Sequence, residues 1–141
     1  MSPELDKKLC EKYPLIFRDR RADKRVTDMC WGFDCGDGWY NIIDALCATL
    51  DGWYKNEVRT REWAIKKNPE IPAPPEVEPV VAAQVKEKFG GLRFYVMSSS
   101  DFCFGAIQMA ESMSNRTCEV CGSPGTINYE GWLKCRCDKC K

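Results

Sequence analysis

The sequence predicts an α+β fold that is mostly helical, with a small β-sheet and a compact cysteine-rich module at its C-terminal end. Three observations predict it. Trp39, Ile42, Ile43, Leu46, Cys47 and Leu50 recur at three- and four-residue spacing, the period of a helix with one face in a core. Leu92, Phe94 and Val96 alternate with Arg93, Tyr95 and Met97, the period of a half-buried strand. Finally, C-E-V-C at 118–121 and C-D-K-C at 137–140 stand fifteen residues apart.

Taken in order, Ser2-Pro3-Glu4 is a helix start, with a capping hydroxyl, proline in the first turn and an acid after it. This helix is expected to run to about Tyr13, with Leu5 and Leu9 inward, and to stop at Pro14. Residues 15–30 show no clear period. Within them Arg18 to Arg25 holds five cations interrupted by two acids, the pattern of a solvated loop rather than a phosphate site. Residues 29–39, M-C-W-G-F-D-C-G-D-G-W, form a tightly turned lead into the next helix, capped by Asp37 or Gly38. Cys30 and Cys35 lie in this lead and read as small apolar residues. Gly52 is expected to interrupt the helix, and a second helical stretch bearing Tyr54, Val58, Ala64 and Ile65 ends near Lys67.

Five prolines between 69 and 79 remove amide donors and make an extended connector. Val81, Val85 and Phe89 repeat at spacing four, predicting a short helix that stops at Gly90-Gly91. After the strand at 92–96, the loop Ser98 to Asp101 caps a last helix. That helix carries Phe102, Ile107, Ala110 and Met113 inward and ends near Asn115. The chain thus divides into a helical α+β domain, 1–115, and a module at 116–141 packed on it.

Chemistry is concentrated in that module. Two residues between cysteines let one tight turn aim both sulfurs at a single ion, and two such turns complete a tetrahedron. Cys118, Cys121, Cys137 and Cys140 are the expected ligands of a structural zinc ion, Zn2+. Gly122 supplies the backbone freedom that the first turn needs. Cys135 is a fifth thiol nearby that could replace Cys137 as a ligand, but Cys137 is preferred, because only Cys137 pairs with Cys140 at knuckle spacing. Thr126 to Tyr129 and Trp132 to Cys135 flank Glu130-Gly131 as a short hairpin, so the module reads as a zinc ribbon or knuckle. With the sequence stopping at Lys141, a treble-clef nuclease module is not expected. Arg116, Lys134, Arg136, Lys139 and Lys141 crowd the site and are expected to balance the charge of four thiolates on one divalent ion.

Composition narrows the function. There is no histidine, which removes Ser-His-Asp and Cys-His catalysis and the usual zinc hydrolases; an all-thiolate site is a closed one. Lysine plus arginine equals aspartate plus glutamate, 21 each, so no global field draws the chain to nucleic acid or membrane. Ten cysteines without a secretory leader or a membrane-spanning run predict a reducing, cytoplasmic setting where thiols hold metal.

Four blocks then stand together: C-G-D-G-W at 35–39, V-K-E-K-F-G-G-L-R-F-Y at 85–95, T-C-E-V-C-G-S-P-G at 117–125 and the closing C-D-K-C. They resemble a family of small zinc-binding proteins encoded by bacteriophages, prophages and mobile bacterial regions. In similar sequences the last knuckle often reads C-x-x-H, and Cys140 stands where that histidine would be. The resemblance brings no activity with it. It implies an accessory protein of a mobile element, of the kind that neutralises host defences or redirects host proteins.

The expected function is therefore binding without catalysis, with a host protein, for instance one of an anti-phage defence system, as the partner to inhibit or redirect. Arg93, Tyr95, Trp39, Trp53 and Trp132 are its candidate anchors, with a core role for most of these tryptophans equally open. Two other readings stay open. Trp132, followed by Lys134 and Arg136, is suited to stack on a nucleic-acid base while those cations hold phosphates. Asp37, Lys86, Lys88, Arg93 and Tyr95 would make a polar pocket for a small anionic, nucleotide-like ligand.

Overall fold

A computed structural model describes all residues, 1–141. The first helix, α1, spans Pro3–Lys12 and buries Leu9. Three single 3₁₀ turns follow, at Arg18–Arg21, Asp28–Trp31 and Asp37–Trp39. Between the last two lies a two-residue strand, β1, Phe33–Asp34. The irregular stretch at 15–30, which has no periodicity, is held by buried Ile16, Phe17 and Met29 and by an ion pair. Arg20 donates to both oxygens of Asp6 on α1 and to the carbonyl of Cys30, tying three segments together. A structural clamp thus accounts for one cation of the Arg18–Arg25 run, and Arg25 folds back onto Asp23.

The long helix α2 covers Tyr40–Lys67 without a break and buries Ile42, Ile43, Leu46, Cys47 and Leu50. Gly52 does not interrupt it. A Cβ there would meet nothing within 4 Å, so the glycine lies on the solvent side. Its cost of about 1 kcal/mol relative to alanine is small against the packing of the helix's first half. The proline-rich connector runs back along the second half, where Arg61 Nε donates to the carbonyls of Pro74 and Pro75.

Residues 81–89 correct the sequence expectation: Ala82–Lys88 is a strand, β2, and not a short helix. A spacing of four is one helical turn, but it is also two full periods of a strand, so Val81 and Val85 satisfy both patterns. Pairing decides between them, because β2 is the central strand of a three-stranded sheet of order β1-β2-β3. It pairs parallel with β1 and antiparallel with β3, Gly91–Val96, with a register shift between Ala82 and Gln84. Lys88 faces Gly91, so Phe89-Gly90 is a two-residue hairpin turn with φ of 55° and 81°. Positive φ at both positions is the type I′ form, which favours Asn or Gly first; an aromatic there costs about 1–2 kcal/mol.

One face of the sheet builds the core. Phe33, Val85 and Phe94 lie in register across the three strands. The ring of Phe17 packs edge-on against Phe33 and Phe94, with centroids 4.9 and 6.3 Å away. The last helix, α3, covers Asp101–Ser114, with the Ser100 side chain accepting from the amide of Cys103. It also closes the free edge of β3: Ser114 Oγ accepts from Leu92 N, and Glu111 Oε1 accepts from Phe94 N. An uncovered strand edge would invite pairing with another chain, and here side chains fill that role. The buried stripe of α3 is Cys103, Ile107, Ala110 and Ser114. Phe102 and Met113, expected inward, are exposed at 58% and 45%. Ile107 and Ala110 face inward as expected, and only the two ends shift by one residue, to Cys103 and Ser114, which complete the stripe that meets β3 and α2. At the C-terminal end a two-stranded hairpin pairs β4, Thr126–Asn128, with β5, Lys134–Arg136. The whole is α+β and mostly helical, with a small sheet and a four-cysteine ribbon. No helix is long and apolar enough to cross a membrane.

Candidate metal centre

The two C-x2-C turns flank the β4–β5 hairpin and bring Cys118, Cys121, Cys137 and Cys140 together, all four sulfurs within 4.8 Å of one another. Cys121 Sγ and Cys137 Sγ are 3.6 Å apart. A divalent ion with sulfurs at about 2.3 Å in a tetrahedron requires edges of about 3.8 Å, so the cluster has the size of a four-thiolate site. Each turn closes on itself: Gly122 N donates to Cys118 O, and Cys140 N donates to Cys137 O. Gly122 takes φ 76°, the left-handed backbone that the first knuckle requires. Cys135, the fifth thiol, is fully buried in the hydrophobic core and is not part of the cluster. The strand geometry explains this, since alternation along β5 sends Cys135 and its neighbours Lys134 and Arg136 to opposite faces.

The thiols differ in acidity for stated reasons. The hydroxyl and amide of Ser123, followed by the Cys137 thiol, bring Cys121 down to about 6. Burial acts to raise Cys118, but amides of Cys121, Cys137 and Val120 outweigh it and hold the thiol below its ordinary value. Cys140 is pushed up to about 12 by the thiols of Cys137 and Cys121 beside it. Four sulfurs this close cannot all ionise unaided, and a cation replacing their protons removes that conflict. By contrast, burial pushes the thiol of Cys35 up to about 12, which suits a core residue and not a ligand. Cys30 likewise joins no cluster.

The expected charge balance is not provided by simple proximity. Lys134 pairs with Glu87, Arg136 with Glu119 and Lys141 with Asp138, so three of the five neighbouring cations answer carboxylates. Glu119, buried inside the first knuckle, organises one end of this network. Its Oε1 accepts from Gly36 N and its Oε2 from Arg136 Nη1.

Those contacts connect the knuckle to the C-G-D-G-W block 80 residues upstream in a way the sequence did not suggest. Gly38 N donates to Glu119 O at 2.8 Å, and Trp39 Nε1 donates to Thr117 O at 2.8 Å. The two backbones touch. A Cβ on Gly38 would collide with Cys118 O and lie 2.5 Å from Gly122 N, and one on Gly36 would lie 2.9 Å from Glu119 C. Gly36 and Gly38 are therefore the seat of the first knuckle, and only residues without a side chain fit there. The N-terminal ammonium closes the same corner by donating to the carbonyls of Phe33 and Cys35.

This geometry corrects one candidate binding residue, Trp39, and places the others. Trp39 is fully buried, with its indole N–H spent on Thr117, and is a core anchor for the knuckle rather than an interface side chain. Asp37 accepts from the amide of Ser2 and forms no ion pair with Lys86, Lys88 or Arg93. Lys86 and Arg93 are cross-strand partners, while Arg93 Nη1 donates to the carbonyl of Leu92. Tyr95 is half exposed on the same strand. Lys86 and Lys88 instead share a groove with Trp132. Compared with known proteins, the chain matches no family model, no curated protein and no solved structure.

Proposed function

We propose that the metal is zinc, held for structure, and that the protein acts by binding another protein through the outer face of α3. Four thiolates are a soft donor set suited to zinc, and with all four positions filled by protein no open position is left for substrate. The observation that carries the binding reading is the second apolar stripe of α3. Phe102, Ala106, Met109 and Met113 repeat at spacings of four, three and four, as the buried stripe does, yet Phe102, Met109 and Met113 are 58%, 67% and 45% exposed. Between α3 and α2 lies a groove of about 260 Å³ lined by Ile42, Ala45, Leu46 and Thr49 on one side and Ala106 and Met109 on the other. The only charged residues of α3 are Asp101, at its start, and Glu111, which serves Phe94. Such a face suits an amphipathic helix of a partner laid into the groove by its own apolar stripe. The resemblance to proteins of phages and mobile elements supports a host protein in the bacterial cytoplasm as that partner, including one of an anti-phage defence system.

The test is capture from a bacterial host with the zinc-loaded protein and with Met109→Glu, after nuclease treatment. A stoichiometric protein that is retained by the parent and lost with the variant, at equal zinc content, supports the reading. Identical capture by both, or capture that disappears with nuclease, refutes it.

A further inference from the structure

The Phe89-Gly90 turn places an aromatic side chain in left-handed backbone, and burial does not offset the strain, because the ring is 67% exposed. A strained residue whose side chain adds little to the core directs attention to what it could touch outside. Phe89 has company. It lines a groove of about 510 Å³ with Trp132, Lys86 and Lys88. Trp132, 79% exposed, also lines a groove of about 730 Å³ on its other side with Tyr129, itself 80% exposed. The two hairpins are held side by side: Lys134 of β5 bonds Glu87 of β2, and Ile127 Cγ2 lies 3.1 Å from where a Cβ on Gly90 would stand.

The charges sort in the same direction. Lys134, Arg136 and Lys141 are occupied by carboxylates. Lys86 and Lys88 form no ion pair, and Lys88 Nζ sits 5.3 Å from the centroid of the Phe89 ring. Three exposed rings with two free cations beside them match a ligand that presents flat faces on a polyanionic backbone. We infer that Phe89, Trp132 and Tyr129 form a stacking platform for single-stranded nucleic acid, with Lys86 and Lys88 against its phosphates. A duplex keeps its base faces covered, and an acidic peptide would leave the rings unused. The inference is independent of the α3 face.

The experiment measures fluorescence anisotropy of short labelled oligothymidylate and oligouridylate with the zinc-loaded protein. An abasic strand of equal length and a polyglutamate peptide compete in parallel. Binding that the abasic strand and the peptide displace at least tenfold more weakly is expected. Two phosphate contacts predict about sevenfold weakening between roughly 50 and 200 mM salt. Trp132→Ala should weaken binding about tenfold. Phe89→Asn provides the sharper readout, because Asn-Gly is the favoured pair for this turn. It should raise the melting temperature and still weaken binding several-fold, a combination that damage to the fold cannot produce. No binding, equal competition by the abasic strand or the peptide, or Phe89→Asn binding as the parent does would overturn the inference.

Discussion

Gly38→Ala tests whether the knuckle is seated on the C-G-D-G-W loop. The added methyl collides with Cys118 O, Gly122 N and Glu119 C, all backbone atoms that cannot turn aside as a side chain would. Relief requires the two segments to separate. Separation puts three hydrogen bonds at risk: Gly38 N to Glu119 O, Gly36 N to Glu119 Oε1 and Trp39 Nε1 to Thr117 O. At about 1 kcal/mol net each, with about 1–2 kcal/mol for residual overpacking, the loss is about 4–5 kcal/mol. For a chain of this size that is a fall in melting temperature of about 15 °C. Gly52→Ala is the matched control. It adds the same methyl where nothing lies within 4 Å, in mid-helix, and should stabilise by about 0.5–1 kcal/mol. Both variants would be melted by circular dichroism with zinc bound, and their zinc would be competed with a chromogenic chelator. The expected result is opposite shifts in melting temperature, with weaker zinc retention in Gly38→Ala alone. A Gly38→Ala protein that melts and holds zinc as its parent does would refute the seating argument.

Other outcomes follow from the same geometry. Removing the metal should unfold at least the ribbon; if it is the proposed zinc, the loss is on the order of 10 kcal/mol. Because Trp39 bonds to Thr117, its emission should shift to the red; an unchanged melting curve after chelation would contradict this. Cys137→Ser should lose the metal. Cys135→Ser should keep one ion per chain and instead lose about 1–3 kcal/mol from a hydroxyl placed in the core; zinc loss there would contradict the ligand set. Lys12, assisted by the hydroxyl of Tyr13, holds the Asp44 carboxyl below its ordinary value. A depressed acid contributes above its unfolded pKa of about 3.9, and the contribution is lost as pH falls through the folded value. Asp44→Asn should therefore melt below its parent at neutral pH, with the gap closing in acid; a gap constant with pH would exclude the charge as its source.

What could be read in advance depended on whether the pattern was local. The two knuckles are self-contained turns, so Cys118, Cys121, Cys137 and Cys140 were legible from spacing, while the choice of Cys137 over Cys135 was a preference until the strand turned Cys135 into the core. The α2 face was equally plain from Trp39 to Leu50. Two errors arose where one spacing serves two structures. A repeat of four is helical and also strand-like, which hid β2 until its partners β1 and β3 settled the matter. On α3 two adjacent stripes carry the same four-three-four spacing, and only contact with β3 and α2 selects Cys103, Ile107, Ala110 and Ser114 for burial. The purpose of Gly36 and Gly38 was out of reach for a different reason. Glycine in a turn looks the same whether it serves the turn itself or a backbone arriving from far along the chain. The strained Phe89 also gave no signal, because nothing in K-F-G-G marks which residue takes the left-handed conformation.

The seat of the knuckle also bears on the order in which the protein assembles. The segments that meet there are 78 and 83 residues apart at Trp39–Thr117 and Gly36–Glu119. Closing a loop of that length costs roughly 4 kcal/mol in chain entropy before any docking contact forms. The β2–β3 and β4–β5 hairpins close over a few residues and bear no such cost, so they are expected to form early. A ribbon already folded on its ion arrives as a rigid surface and pays the closure cost once, whereas a disordered one must also order its own turns on arrival. Metal supply, rather than collapse of the core, would then set the moment at which Trp39 is sealed from water.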